Sequence, residues 1–295
     1  MREFTSIVLS GGAFKTMSII GVIKYLEEYS LIKNIKNLVG SSAGSIICYL
    51  IALGLCSDEI IELGYSISEN DELLQFNIDD ICSLLDTYGI DSGERLDTLF
   101  RMVLQKKLFR KDITFLEFAK TTGKNLVICV ANLTKEESEF WSVDTMPNMS
   151  VIKALRISCS VPIIFKPIKY NDMFYVDGGL YNNFPISYFK NDKLKDIIGI
   201  NIIANNYQDT SDFMRYLRFI IYSVTSKINL QPLSDIRDNV ITINFNDEDQ
   251  MTLNDLKLSI TKETINKLIK MGYDTIKNYY NNLSNATERS LSETN

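Results

Sequence analysis

Two apolar runs near the N-terminus each stop at a cluster of small residues and then pass into a helical pattern. This repeated unit constrains the fold more than any other feature of the chain. Ser6 to Ser10 reads as a short buried strand, Gly11-Gly12 as a turn, and Ile19, Ile20, Val22, Ile23 and Leu26 follow at helical spacing. Leu38-Val39 then leads into Gly40-Ser41-Ser42-Ala43-Gly44, and Ser45 to Leu55 is apolar enough to be buried on nearly all sides. Two strand-turn-helix units in succession predict an α/β protein with a parallel, doubly wound sheet.

Further along, residues 57–120 carry mostly helical patterns, broken at Asp91-Ser92-Gly93, and are expected to form a helical cap beside the site. Leu126 to Ala131 predicts a core strand, and Val151 to Ile157 a short helix with Ser150 as its N-cap. Met173 to Val176 predicts a strand ending at Asp177, and Ile197 to Ile203 and Val240 to Phe245 predict two more. Helical patterns around Phe213 to Val224 and Ile265 to Tyr280 close the chain. With no internal repeat and no Gly/Ser linker, residues 1–283 read as one domain, followed by a polar tail, 284–295, expected to be disordered.

Composition narrows the function. The 295 residues are 45% apolar, enough for a sizeable core, and 31 basic against 37 acidic side chains give a net charge of -6. Without a concentrated basic block, nucleic acid is a poor partner, and a neutral or zwitterionic substrate fits better. Cys48, Cys56, Cys82, Cys129 and Cys159 are odd in number, scattered and mostly within apolar runs. They read as buried thiols of a reducing compartment, with neither disulfides nor a metal site. The N-terminus lacks a signal-peptide pattern, and the most apolar stretch, Ile46 to Cys56, falls short of the about 20 residues that span a bilayer. The expectation is a cytoplasmic protein that meets membranes only from outside.

The chain contains no histidine, so a Ser-His-Asp triad is impossible. Yet Gly40 to Gly44 has the spacing of an elbow that exposes a serine, Ser42, between an apolar strand and a helix N-terminus. Some other group must take its proton. Asp177, followed by Gly178 and Gly179 at a strand end, is best placed, because partial burial makes a carboxylate a stronger base. Alone, the serine motif is equally well read as an ordinary turn, and the glycine pair after Asp177 is better read as one. The small residues of Gly11-Gly12-Ala13 free backbone amides to face an anion, as an oxyanion hole requires. A phosphate loop of the Walker type would need glycines where Leu9 and Phe14 stand, and the dinucleotide pattern G-x-G-x-x-G is absent.

Taken together and in this order, these segments resemble the patatin-like phospholipase family. Leu9 to Lys15 with Gly21-Val22 is similar to its glycine-rich segment, Gly40 to Gly44 to its serine elbow, and Asp177-Gly178-Gly179 to its Asp-Gly-Gly/Ala motif. Tyr88 to Gly93, Ala154 to Pro162 and Asn182 to Ile186 resemble further segments of that family. The resemblance implies a three-layer α/β/α fold with a mostly parallel central sheet and cofactor-free hydrolysis of lipid acyl esters by a Ser-Asp dyad. Ser42 would be the nucleophile, Asp177 the base, and the amides of Gly11, Gly12 and Ala13 the oxyanion donors. Lys15 takes the family's usual basic position, and it, Arg156 and Phe184 are expected substrate contacts. For Arg156 a structural hydrogen-bonding role is an equal alternative, and for Phe184 ordinary core packing is the favoured one. Ala13 and Thr16 replace usual glycines, and a left-handed Ala13 would cost about 1 to 2 kcal/mol. A lipid-binding protein with little turnover and a (thio)esterase on other substrates are the alternatives.

Overall fold

A computed structural model describes residues 3–69, 86–189, 196–204, 239–246 and 260–292, with the isolated positions 216, 219 and 223. Its centre is a mixed sheet. Strands β1 (Ser6–Leu9), β2 (Asn37–Ser41), β4 (Asn125–Asn132), β9 (Ile197–Ala204) and β10 (Val240–Phe245) run parallel in the order β10-β9-β1-β2-β4. Antiparallel strands β5 (Glu137–Trp141), β7 (Ile168–Tyr170) and β8 (Met173–Asp177) extend it from β4. A separate pair joins β3 (Gly89–Asp91) to β6 (Ile163–Phe165).

Strands β1, β2, β4 and the start of β9 are apolar on both faces, as strands buried from both sides must be, whereas β10 at the sheet edge alternates buried Ile241, Ile243 and Phe245 with Thr242 and exposed Asn244. Ile7, Leu9, Leu38, Leu126, Ile128, Val130, Ile198 and Ile200 turn into the larger core, under the helices. The alternate residues Val8, Val39, Val127 and Ile197 face a second, smaller core closed by Phe184, Ile186, Tyr188 and Phe189. The α/β architecture predicted from the first fifty residues is therefore present, with helices over the sheet.

Helix α1 (Met17–Glu28) is buried over most of its surface because α7 (Lys262–Ser292) crosses it closely. A Cβ on Gly21 would lie 1.9 Å from the Ile269 carbonyl oxygen, and one on Gly272 1.7 Å from that of Ser18. The backbones touch where only glycine leaves room. Helix α7 runs on to Ser292, so the stretch from Ser284, expected to be disordered, begins as helical backbone.

The expected cap takes another form. Within 57–120 lie α3 (Ser57–Ser68), α4 (Glu94–Leu108) and α5 (Phe115–Thr122). Phe100, Leu104, Phe115 and Phe118 are buried in the main core, and Tyr49 of α2 (Ala43–Ala52) stacks on Phe118 and donates to the Phe100 carbonyl at 3.1 Å. The described part of this region is thus a wall of the core rather than a separate lid. Helix α6 (Val151–Ser158) starts as expected, with Ser150 Oγ accepting from the Lys153 amide at 3.1 Å. The pattern around Phe213 to Val224 lies almost wholly outside the described residues, as does Cys82. Cys48, Cys129 and Cys159 are buried free thiols, whereas Cys56 is exposed. Among the described residues no helix is long and apolar enough to cross a membrane.

Candidate active site

Strand β4 brings the two separated motifs together. Its Cys129 stands opposite Ser41 of β2, and the next residue, Val130, stands opposite Asp177 of β8. Both β4 residues also pair with β5, Cys129 with Phe140 and Val130 with Glu139, so β5 occupies one edge of β4. Strands β2 and β8 must then share the other edge. They run toward each other along it and stop one residue apart, which sets the end of each motif against the other.

At this meeting point Ser42 Oγ donates to Asp177 Oδ2 at 2.6 Å. Ser42 has φ 51° and ψ -131°, a strained conformation for a residue with a side chain. The sharp turn depends on the absence of neighbouring side chains. A Cβ on Gly40 would lie 2.6 Å from the Gly44 carbonyl carbon, and one on Gly44 2.5 Å from the Ser10 oxygen. Helix α2 begins directly after Ser42, so its positive end faces the serine oxygen.

Asp177 is 5% exposed. Burial raises its carboxyl to about 7, against the opposing pull of hydrogen bonds from Ser42 and from the Gly179 amide, which reaches Oδ1 at 2.7 Å. It is thus a far better base than a solvated aspartate. Gly178 is the hinge behind it: its amide donates to the Ser158 carbonyl at 3.3 Å, and a Cβ there would lie 2.3 Å from the Cys129 oxygen.

The glycine loop lies beside the serine, but its amides are not equivalent. The Gly11 amide donates to the Asn183 carbonyl at 3.0 Å, and Asn183 Nδ2 donates back to the Gly11 carbonyl at 3.3 Å. This pairing removes Gly11 from the expected oxyanion donors and makes it a spacer, its absent Cβ falling 2.9 Å from Ser42 Cβ. Gly12 and Ala13 open a 3-10 turn, Ala13–Thr16, where their amides have no acceptor within the turn. Ala13 is left-handed, with φ 48°.

The expected substrate contacts divide. Lys15 Nζ sits 5.9 Å over the Phe245 ring at the end of β10. Arg156 is 5% exposed and committed to the fold: it donates to Ser160 Oγ at 2.7 Å and to the Ser92 carbonyl at 2.7 Å, and lies over Phe165. Desolvation lowers its pKa, and no part of this arrangement presents the guanidinium to a lipid phosphate. Phe184 packs in the smaller core, its ring against Gly199, as ordinary core packing requires. Two residues lie in segments that the sequence singled out without giving them a role. Asn183 clasps the glycine loop, and Ser158 Oγ accepts from the Ser42 amide at 3.0 Å. For the first, the available signals were the asparagine pair just after Asp-Gly-Gly and the family resemblance of Asn182 to Ile186.

The arrangement offers a hydroxyl on a buried carboxylate, a helix end, and two turn amides nearby. A family model for patatin-like phospholipases matches residues 7–190. "Probable lipid hydrolase 463L" of Invertebrate iridescent virus 6 is 33% identical over 241 residues, covering 78% of this chain and 81% of that protein. "Uncharacterized protein R571" of Acanthamoeba polyphaga mimivirus is 31% identical, covering 70% and 68%. Among solved structures, VipD from Legionella pneumophila superposes with a TM-score of 0.56 at 20% identity, over 95% of this chain and 67% of VipD. The type III effector ExoU gives 0.50 at 15% identity, over 93% of this chain and 52% of ExoU, so the chain spans about half of that protein. The structural likenesses establish the fold; the family model and the viral relative, each extending over most of the chain, establish that it belongs to the patatin-like phospholipase family.

Proposed function

We propose that this protein hydrolyses acyl esters of phospholipids or related lipids, with Ser42 as nucleophile and Asp177 as general base. The observation that carries the reading is the 2.6 Å hydrogen bond between them in a chain without histidine. Ser42 Oγ attacks the ester carbonyl carbon as its proton passes to Asp177. The amides of Gly12 and Ala13 then hold the oxyanion, each such donor being worth about 10²- to 10³-fold in rate. The C–O bond to the alcohol breaks as Asp177 returns the proton. Water attacks the acyl-enzyme as Asp177 accepts its proton, the bond between the acyl carbon and Ser42 Oγ breaks as Asp177 returns that proton to Oγ, and the fatty acid leaves.

Family membership and the printed name of the viral relative support a lipid as the acyl donor. We take residues 1–283 as one hydrolase domain, working in the cytoplasm at lipid surfaces, in keeping with its buried free thiols. A lipid-binding protein with little turnover is the second reading, favoured by the left-handed Ala13 in the donor loop.

The test is hydrolysis of labelled phosphatidylcholine by wild type, Ser42→Ala and Asp177→Asn, with fluorophosphonate labelling beside it. Both variants should lose at least about 10³-fold in kcat, the scale on which removal of a nucleophile or its base acts. Wild-type labelling at Ser42 is expected; equal hydrolysis by all three proteins would refute the dyad, and lipid binding without labelling would favour the second reading.

A further inference from the structure

The hydroxyl of Ser158 lies between the elbow and the strand beside it. Its Oγ accepts from the Ser42 amide at 3.0 Å and donates to the Cys129 carbonyl at 2.6 Å. The backbone of the same turn holds the other half of the site: Ser160 O accepts the Asp177 amide at 2.9 Å, and Ser158 O accepts that of Gly178 at 3.3 Å. Arg156 fixes the turn from behind through Ser160 Oγ and the Ser92 carbonyl. Ser158 and Ser160 are fully buried, so water cannot substitute for these contacts.

From this geometry we propose that Ser158 is a positioning residue for the reaction, setting the Ser42 backbone so that its Oγ meets Asp177. The inference rests on the Ser42–Asp177 reading above. A strained φ/ψ pair persists only where its surroundings over-determine it, and Ser158 supplies the one side-chain acceptor the Ser42 amide has among the described residues. Occupying that amide has a second effect. It takes Ser42 N–H out of the pool of oxyanion donors and leaves the role to Gly12 and Ala13. Three residues, Ser158 to Ser160, thereby reference nucleophile and base to one rigid segment at the end of α6, and a displacement of the elbow changes the distance between them directly.

The experiment compares wild type with Ser158→Ala, Ser158→Thr and a packing control on the same helix, Ile152→Val, all folded by circular dichroism. A misplacement of about 1 Å can cost on the order of 10²-fold in rate. Ser158→Ala should therefore lose about that factor in kcat and in the rate of fluorophosphonate labelling at Ser42, with KM within about twofold. Ser158→Thr, which retains the hydroxyl, should recover most of the loss, and Ile152→Val should show little. Hydrogen exchange at the Ser42 amide should accelerate in Ser158→Ala alone. If the alanine variant fails to fold, Ser158→Cys, close in volume and a weak acceptor, takes its place. Labelling by Ser158→Ala within twofold of wild type, or a loss matched by Ile152→Val, would overturn the proposal. The exchange measurement reads positioning without turnover, so an inert wild type with the predicted exchange change would refute the dyad and leave the Ser158–Ser42 contact standing.

Discussion

Asp177 stands between two demands. As the proton acceptor proposed above it would have to be ionised, but burial favours its neutral form and lifts its pKa from 3.8 to about 7. The rate should follow the ionised fraction, so kcat/KM is expected to rise with pH and level off above about 7 in a pH-rate profile. Stability should run the other way. The folded protein holds this proton up to about pH 7, whereas the unfolded chain releases it near 4, so the contribution is full below pH 4 and is lost as pH rises through 7. At about 1.4 kcal/mol per pKa unit, the charged carboxylate costs up to roughly 4 kcal/mol above pH 7. Asp177→Asn should therefore melt higher than wild type at pH 8 and about equally at pH 4, while losing its activity. Thermal melts at the two pH values check this. At this scale the sequence was most informative about the serine and the aspartate, because an elbow and a strand end are local patterns. It was least informative about Gly11 and Ser158, whose bonds reach residues 172 and 116 positions away.

Among the elements, β1, β2 and β4 were legible as apolar runs buried on both faces, β9 as a mostly apolar run, and β10 by its alternation of Ile241, Ile243 and Phe245 with polar residues. The misses share a cause. Strand β5 carries Glu137, Ser138 and Glu139, and Glu139 is placed largely by partners on other strands: it accepts from Asn132 of β4 and Tyr175 of β8, besides Trp141 of its own strand. Strands β3 and β6 are three residues each and exist only through their mutual pairing. Gly21, matched by sequence to a glycine-rich loop, belongs to helix packing. Its contact with α7, and that of Gly272 with α1, permits a backbone approach that any side chain would prop open. Gly272→Ala should accordingly destabilise the protein by about 3 kcal/mol or more, at the upper end of overpacking costs, measured as a shift in the urea midpoint. Ser42 labelling of the remaining folded protein should be unaffected, since the crossing touches neither dyad residue.

Across the whole molecule, the hydroxyl and the carboxylate hang from different parts of the sheet. Ser42 follows β2 within the parallel block, flanked by β1 and β4, whereas Asp177 ends β8, which pairs with β4 over three residues and with the three-residue strand β7 beyond. The margin of a sheet opens at lower free energy than its middle. Esterase activity should therefore vanish at a lower urea concentration than far-ultraviolet circular dichroism, the lag being absent if both read one cooperative transition. An enzyme assembled from two strand ends abutting on a shared neighbour would thus have a built-in fuse: mild stress would disarm it while most of the scaffold survived, and relief of that stress would rearm it without refolding from the start.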